Sequence, residues 1–203
     1  MGFEIAIKTR RVSASLETVW QSYGPPWVNV SNTPFRLYKH FTHEGGIAAP
    51  FVVHWPAVLR QRGAVSAQLA RVTDIIATFV DIAGTKHPGT FDSHAVQPLE
   101  GQSLRPIFEG KTSEHPNPIF WEREGNRAVR LGQWKLLARR GRDWELHDPE
   151  ADRTELTNVA ANHPEKVQEM FALYSAWAQR CNVLQPEELP CARPIRPVDR
   201  SDQ

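Results

Sequence analysis

The amino-acid sequence predicts an α/β fold with two parts. In the first part, residues 51–55 form an apolar, β-branched run that predicts a buried strand, and residues 66–83 predict a helix that follows it. In the second part, residues 118–147 contain four short strand-like runs separated by glycine turns, which predict an antiparallel meander. A helix with an apolar stripe follows from residue 163, and we expect it to pack on that meander.

Length, composition and charge are those of one ordinary globular domain. The chain has 203 residues, of which 40% are hydrophobic, and its 24 basic and 23 acidic residues leave a net charge of +1. We expect no nucleic-acid partner, because such partners require a clustered basic face. No apolar run is long enough to cross a bilayer, so no membrane span is predicted.

The N-terminus carries no recognisable export signal, and the chain has two cysteines. Residues 1–20 lack the apolar segment of a signal peptide, so the cytoplasm is the default expectation for this chain. Cys181 and Cys191 flank a proline-containing stretch and can pair, but two cysteines do not make a disulfide framework. Without an export signal, the reduced state is favoured.

The first part begins with a segment that fits no continuous pattern. Residues 1–22 contain one alternating run and one amphipathic run, which predict a strand and a helix. Two proline-containing turns follow, at residues 23–27 and 32–34. Residues 35–41 then predict a short helix that carries Lys39 near its end.

The helix predicted over residues 66–83 has a single apolar face. Ser66 can cap its start, and Gly84 follows its end, where a left-handed residue commonly terminates a helix. Residues 85–111 are rich in glycine and proline and predict a surface loop with one short helical turn. The members of the apolar face are Leu69, Val72, Ile76, Phe79 and Ala83.

The second part has a more regular pattern. Each turn between its strands contains a glycine, and its last helix opens with Pro164, where the missing N–H of proline is tolerated. Residues 184–203 are rich in proline and are predicted to be disordered. The strands are predicted at residues 118–121, 127–130, 133–138 and 144–147, and the apolar stripe of the helix consists of Val167, Met170, Phe171, Tyr174, Trp177 and Ala178.

A dense polar cluster precedes the predicted strand of the first part. Lys39, His43 and Glu44 lie just before the pair Gly45-Gly46, and glycine allows a positive φ or a close approach of backbone segments. Such a cluster at the start of a buried strand is typical of the wall of an active site. Lys39 is the member that can contact an anion, although a lysine beside aromatic residues is most often a surface side chain whose stem covers apolar area.

The other members of the cluster have a structural interpretation as well as a functional one. Glu44 is more simply explained as an acceptor of backbone N–H groups in the glycine turn than as a catalytic acid. His43 can line a substrate pocket or donate a proton, whereas His40 and His54 are expected to be structural. The spacing of these histidines, Glu44 and Asp74 fits no zinc pattern, so no metal ligands are assigned in this chain.

The segment RLYKHFTHEGGIAAPFVVHWP, at residues 36–56, resembles the part of sulfatases that carries their C-terminal active-site lysine. In that family a lysine precedes an E-G-G turn by a few residues, and an apolar strand that ends near W-P follows. The resemblance continues in order through GQSLRPIFEGK, NRAVRLGQWKLL and WELHDPEADRTELTNVA, and it spans residues 23–186. It implies a sulfuric-ester hydrolase, most like the arylsulfatases, with the fold of the alkaline-phosphatase superfamily.

The resemblance also implies a site and a division of the chain. Lys39 is implied as a catalytic residue that binds the sulfate of the substrate, and His43 as a weaker candidate for substrate binding. The α/β fold is then the C-terminal part of an alkaline-phosphatase-like mixed sheet, followed by a small four-stranded antiparallel sheet with a packed helix. The expected segments are residues 1–22, unmatched; 23–115, the edge of the sulfatase α/β domain; 116–183, the small sheet and its helix; and 184–203, the tail.

The resemblance implies further groups that this chain does not carry. Sulfatases use formylglycine, made from a Cys or Ser in a motif resembling C-x-P-x-R, and neither Cys181 nor Cys191 lies in one. The metal-binding motifs D-D-x-G and D-N-G are also missing from the sequence. We therefore expect the chain to be inactive alone. The resemblance implies that a complete enzyme has an N-terminal half, binds calcium, and acts on a sulfate-ester small molecule or a sulfated sugar. Such a complete enzyme is expected to be periplasmic or secreted.

Two other interpretations stay open. The chain is alternatively a non-catalytic module, either a degenerate remnant or a subunit that completes the site of another chain. It is alternatively part of a phosphodiesterase of the same superfamily, although the lysine followed by E-G-G favours sulfate. The unmatched first residues suggest either that the chain begins part-way through a longer gene or that these residues are foreign to the fold. C-x-P-x-R and D-N-G segments upstream in the reading frame would identify a truncated enzyme.

Overall fold

The computed structural model describes residues 24–59, 63–112, 115 and 117–189. The strand and helix predicted within the first 22 residues, Cys191 and the end of the predicted tail lie outside the described residues. Cys181 is exposed just after the last helix. Over the part of the chain that is described, no helix is both long and apolar enough to cross a membrane.

The described residues form five α-helices, one 3₁₀ turn and six β-strands. The helices are α1 (Pro25–Ser31), α2 (Glu44–Ile47), α3 (Val72–Ile82), α4 (Arg105–Phe108) and α5 (Pro164–Arg180), and the 3₁₀ turn is Ala160–Asn162. The strands are β1 (Thr90–Phe91), β2 (His94–Ala95), β3 (Ile119–Arg123), β4 (Asn126–Leu131), β5 (Trp134–Ala138) and β6 (Glu145–His147). The pair β1–β2 is a small hairpin inside the predicted surface loop, and α4 is the short helical turn predicted there.

Strands β3 to β6 form an antiparallel sheet in chain order, which confirms the predicted meander. Its register places Phe120 opposite Val129, Val129 opposite Leu136, and Leu136 opposite Leu146. Directly opposite residues point to the same side of a sheet, so these four side chains share one face. Helix α5 packs on that face, as predicted.

The core of this part lies between the sheet and α5. Trp177 of α5 stacks parallel on Phe120, with the ring centroids 5.0 Å apart. One member of the predicted stripe differs: Phe171 is 46% exposed, at the edge of the interface, where it meets Trp144 edge-on. The buried members of the core are Val129, Leu136, Leu146, Met170, Tyr174 and Ala178.

The opposite face of the sheet is covered by the segment that contains Lys39. Strand β5 contributes Lys135 to this face, where its side chain is fully buried. Thr42 Oγ1 donates a hydrogen bond to the carbonyl oxygen of Arg127 in β4, at 3.1 Å. The sheet is therefore a middle layer between α5 and the segment around Lys39. The predicted boundary between residues 115 and 116 stays a prediction, and these contacts cross it.

The strand predicted at residues 51–55 is wrong, because these residues are irregular in the structure. Phe51 and Val52 are 55% and 87% exposed. A strand needs a neighbour that pairs with its N–H and C=O groups, and no strand of the described sheets lies alongside this segment. The composition of residues 51–55 favours β-structure, but no strand among the described residues pairs with them.

Helix α3 begins later than predicted. It starts at Val72 rather than near Ser66, because the carboxylate of Asp74 accepts the N–H of Arg71 at 2.6 Å and so caps the helix at that point. The same buried carboxylate accepts the N–H of Gln102 at 3.0 Å. A polar loop therefore covers the side of α3 that faces the protein.

The apolar face predicted for α3 is exposed in the structure. Val72, Ile76 and Phe79 are 79%, 51% and 62% exposed. Phe79 lines a groove of about 320 Å³ together with residues 51–55 and Phe108. The periodicity predicted the helix and its apolar face, but the described residues do not cover that face.

Candidate functional site

Lys39 lies on a bent loop rather than on the predicted helix. Residues 35–41 contain no helical turn, and Leu37 and His40 have φ values of 63° and 125°. Positive φ is unfavourable for residues that carry a Cβ, and it persists only where surrounding contacts impose it. The helix prediction is wrong because these contacts, rather than local preference, determine the path of the loop.

The pair Gly45-Gly46 allows helix α2 to pack directly on the backbone of this loop. A Cβ at Gly45 would lie 2.3 Å from the carbonyl oxygen of Arg36, and a Cβ at Gly46 would lie 2.0 Å from that of Phe41. Both distances are far below van der Waals contact. Close backbone approach, one of the two explanations for the pair, is therefore the one the structure confirms, since neither glycine has a positive φ.

Glu44 has a structural role, as expected, but its partners are side chains rather than the glycine turn. Its carboxylate lies 3.0 Å from Lys135 Nζ and 3.6 Å from Arg153 Nε. Its own N–H donates to Glu155 Oε2 at 2.9 Å. The sheet therefore anchors the segment just after Lys39 through charged groups.

Lys135 and Glu155 complete a buried charge cluster that the sequence-based prediction missed. Lys135 Nζ donates to Glu155 Oε1 at 2.6 Å, and both side chains are fully buried. The ring of Trp121 lies 6.0 Å from the same Nζ. One signal was available: Leu136 faces α5, so alternation along β5 directs Lys135 to the other face. A lysine buried there requires a carboxylate partner.

His43 is buried beside this cluster, and neither of its ring nitrogens has a hydrogen-bond partner. Burial, followed by the nearby charges of Arg36, Lys135 and Arg139, lowers the pKa of His43 from 6.5 to about 3. The imidazole is therefore neutral near pH 7. A proton added to it would be a buried charge close to three cations.

Lys39 is an exposed cation without a carboxylate partner among the described residues. Its side chain faces solvent, and within the described residues no carboxylate lies within 4.0 Å of its Nζ. The neighbouring His40 Nδ1 lies 3.1 Å from Glu124 Oε2, which ties the loop to the turn between β3 and β4. The structural role expected for His40 is thus consistent with its contacts. A compact ammonium on a fixed backbone is a point charge that is available to an anion.

The residues present do not fit the calcium site that the resemblance implies. Among the described residues, no group of three or more His, Cys, Asp or Glu side chains is arranged to hold a metal ion.

Comparison with known proteins places this arrangement in a family. A family model described as N-sulphoglucosamine sulphohydrolase, C-terminal, matches residues 35–176, which include Lys39 and the whole buried cluster. The chain belongs to the sulfatase family. Its match is to the C-terminal part of sulfatases, in agreement with the resemblance found in the sequence.

Individual sulfatases give the same result over long stretches. The chain is 31% identical over 173 residues to an uncharacterized sulfatase of Schizosaccharomyces pombe, covering 82% of this chain and 31% of that protein. It is 30% identical over 144 residues to arylsulfatase K of Xenopus laevis, covering 66% and 26%. It is 36% identical over 108 residues to N-acetylgalactosamine-6-sulfatase of Sus scrofa, covering 52% and 19%. The chain thus spans less than a third of the length of these relatives.

A solved structure supports the fold. The crystal structure of Ps i-CgsB superposes with a TM-score of 0.56 at 27% identity, over 76% of this chain and 33% of that chain. The described part is therefore the C-terminal portion of a sulfatase with the alkaline-phosphatase-like α/β fold, which confirms the predicted fold class.

Proposed function

We propose that Lys39 binds the sulfate group of a sulfate ester in a complete sulfatase, and that this chain supplies the C-terminal wall of the active site. The observation that carries the proposal is the contrast between Lys39 and its surroundings. Lys39 is exposed and has no carboxylate partner among the described residues, whereas the backbone on both sides of it is held by close packing and buried charges.

The chemistry suits a lysine. Transfer of a sulfuryl group places negative charge on its oxygens, and a fixed ammonium stabilises that charge without moving. Lysines have this role for phosphoryl groups, where they act as compact point charges. Lys39 offers no nucleophile, so we propose that it lowers the barrier of a step whose attacking group lies elsewhere. The chain alone is then inactive.

His43 is the second proposed substrate-binding residue. Its neutral ring has two unpaired nitrogens, so it can donate one hydrogen bond and accept another. The ring is fully buried, so contact with a substrate requires a movement that exposes it. We propose a smaller contribution for His43 than for Lys39.

We propose a sulfated sugar or another small sulfate ester as the substrate class. The matched family and N-acetylgalactosamine-6-sulfatase are named for sulfated sugars, whereas arylsulfatase K is named for aryl esters. Calcium in the complete enzyme is proposed from the resemblance alone.

We also propose that the N-terminal part of a complete sulfatase covers the exposed groove between residues 51–55 and α3. Phe51, Val52 and Phe79 all expose more than half of their surface there. Burial of apolar area of this kind stabilises an interface by about 25 cal/mol per Å². A neighbouring strand from that part would also pair with the backbone of residues 51–55.

Kinetics with variants of Lys39 test the proposal. In a complete sulfatase that carries this segment, Lys39→Ala should lower kcat on an aryl sulfate roughly 10²–10³-fold with the fold intact. Lys39→Arg should recover little, because a planar fork replaces a point charge. Lys86→Ala, at an exposed loop position, is the matched control and should retain activity.

Two results would contradict the proposal. Near-parental turnover by Lys39→Ala would make Lys39 an ordinary surface lysine. Hydrolysis of an aryl sulfate by the purified 203-residue chain with added calcium, above a buffer blank and in proportion to protein, would show that the chain is not dependent on another part.

A further inference from the structure

Three buried charges join segments that are far apart in the sequence. Glu44 lies just after the Lys39 loop, Lys135 lies in β5, and Glu155 follows β6. Lys135 Nζ lies 3.0 Å from Glu44 Oε1 and 2.6 Å from Glu155 Oε1. Lys135 and Glu155 have no solvent exposure, and Glu44 is 5% exposed. A single ammonium is therefore shared by two carboxylates away from water.

Glu155 holds both ends of the segment that contains Lys39. On one side, its carboxylate accepts the N–H of Glu44 at 2.9 Å. On the other side, its backbone carbonyl accepts a hydrogen bond from the guanidinium of Arg36. Arg36 and Glu44 bracket Lys39, so one residue of the second part fixes the start and the end of the loop.

A purely stabilising role does not explain why these groups are charged. Buried ion pairs are rarely better than apolar side chains of similar volume, because removing charges from water is costly. What charges add is selectivity of position, since each must reach its partner at hydrogen-bond distance. The strained φ values of Leu37 and His40 show that the loop is held in a path it would not adopt alone.

We propose that Lys135 and Glu155 are positioning residues of the sulfatase site: they clamp both ends of the loop and thereby fix the place of Lys39. The functional meaning of the clamp rests on the proposed role of Lys39. The clamp itself is a property of this chain and can be measured without any substrate.

Charge balance distinguishes a clamp from simple space filling. The charged and titratable groups beside the cluster include Arg153, whose Nε lies 3.6 Å from Glu44 Oε2 and whose side chain is largely exposed, and His147, which lies opposite Lys135 in the sheet. His43 is a third, and the charges of Arg36, Lys135 and Arg139 act on it. Lys135→Met keeps an unbranched side chain that is one heavy atom shorter, but it leaves two buried carboxylates without their shared cation. Adding Glu155→Gln removes one of those charges and keeps an acceptor for the N–H of Glu44.

The test uses NMR of the 203-residue chain. The 13Cα shifts of Leu37 and His40 depend on φ and report the path of the loop, and amide exchange over residues 36–47 reports its stability. Lys135→Met should move these shifts toward ordinary extended values and accelerate exchange roughly 10²–10³-fold. Lys135→Met with Glu155→Gln should recover at least about tenfold of that exchange. Lys166→Met, at an exposed ion pair on α5, is the control and should change neither signal.

Three outcomes overturn the clamp. Unchanged 13Cα shifts and exchange in Lys135→Met would show that Lys135 does not position the loop. A double variant no better than the single one would show that Lys135 acts through volume rather than charge. Should Lys135→Met not fold, the milder Glu44→Gln decides: exchange over residues 36–47 should still accelerate relative to β3 and β4, and no change overturns the proposal. Failure of the Lys39→Ala kinetic test leaves all these signals unaffected, so the two proposals fail separately.

Discussion

The pH dependence of stability should identify His43 as a buried neutral imidazole. In the folded protein the pKa of His43 is about 3, and in the unfolded chain it is 6.5. Between these values the unfolded state binds a proton that the folded state does not bind. Stability is therefore fully present above pH 6.5 and is lost as pH falls through that window.

The magnitude follows from the width of the window. One pH unit of differential protonation corresponds to about 1.4 kcal/mol, so the contribution of His43 falls by about 2.5 kcal/mol between pH 7 and pH 4.5. Two other carboxyl groups act only at the acidic end of this interval: the pKa values of Glu100 and Glu109 are lowered from 4.5, chiefly by hydrogen bonds with Arg180 and Lys111. Their contributions are the same in the unmodified chain and in a variant of His43, so they cancel in that comparison. The pKa of Asp152 is lowered from 3.8 to about 2, chiefly by its hydrogen bond with Thr154, so its contribution is lost only at lower pH.

The assay is urea unfolding followed by tryptophan fluorescence at several pH values from 7 to 4.5. Between pH 7 and pH 4.5, the free energy of unfolding should decline by about 2.5 kcal/mol more in the unmodified chain than in His43→Gln. The glutamine side chain has a similar size and does not titrate. His94→Gln, at an exposed position, should follow the unmodified chain. If the free energy of unfolding depended on pH in the same way in the unmodified chain and in His43→Gln, the reasoning would be refuted. Removal of a buried imidazole that stays unprotonated must reduce this pH dependence.

Two further substitutions test the packing that supports the site. Trp177→Ala removes the ring stacked on Phe120 and should lower the free energy of unfolding by about 3 kcal/mol, which corresponds to a fall in Tm of roughly 6–12 °C. Lys166→Ala, on the exposed side of α5, is the control and should change the free energy of unfolding by no more than about 0.5 kcal/mol. Equal small shifts of Tm for the two variants in calorimetry would contradict this packing. Gly46→Ala places a Cβ 2.0 Å from a carbonyl oxygen of the Lys39 loop and should cost about 3 kcal/mol in urea unfolding, while Gly89→Ala, with open space around it, should be close to neutral. A tolerated Gly46→Ala would show that the loop and α2 are not in close contact.

Local pattern was enough to predict the second part of the chain. The alternation in residues 119–147, the glycine turns and the stripe of α5 each specify an element and the face it buries, and the sheet and helix complete each other within this segment. The order of Lys39 and E-G-G was likewise identified from the sequence as a sulfatase pattern, and close backbone approach, one of the two explanations for its glycines, is confirmed. The role of Lys39 in binding sulfate stays a prediction.

Tertiary structure alone decided how Lys39 is held. Its loop was predicted as a helix because local preference was the only information, whereas contacts with α2 and with Glu155 impose a strained path. The cluster of Glu44, Lys135 and Glu155 joins positions up to 111 residues apart, which no local period can reveal.

The same reason explains the wrong strand. The composition of residues 51–55 expresses a preference for β-structure, but a strand exists only when a neighbour pairs with its backbone, and no described strand does so. The apolar face of α3 was predicted from the periodicity of the sequence, yet it is exposed among the described residues. Periodicity shows which side chains avoid water but not which part of a protein covers them.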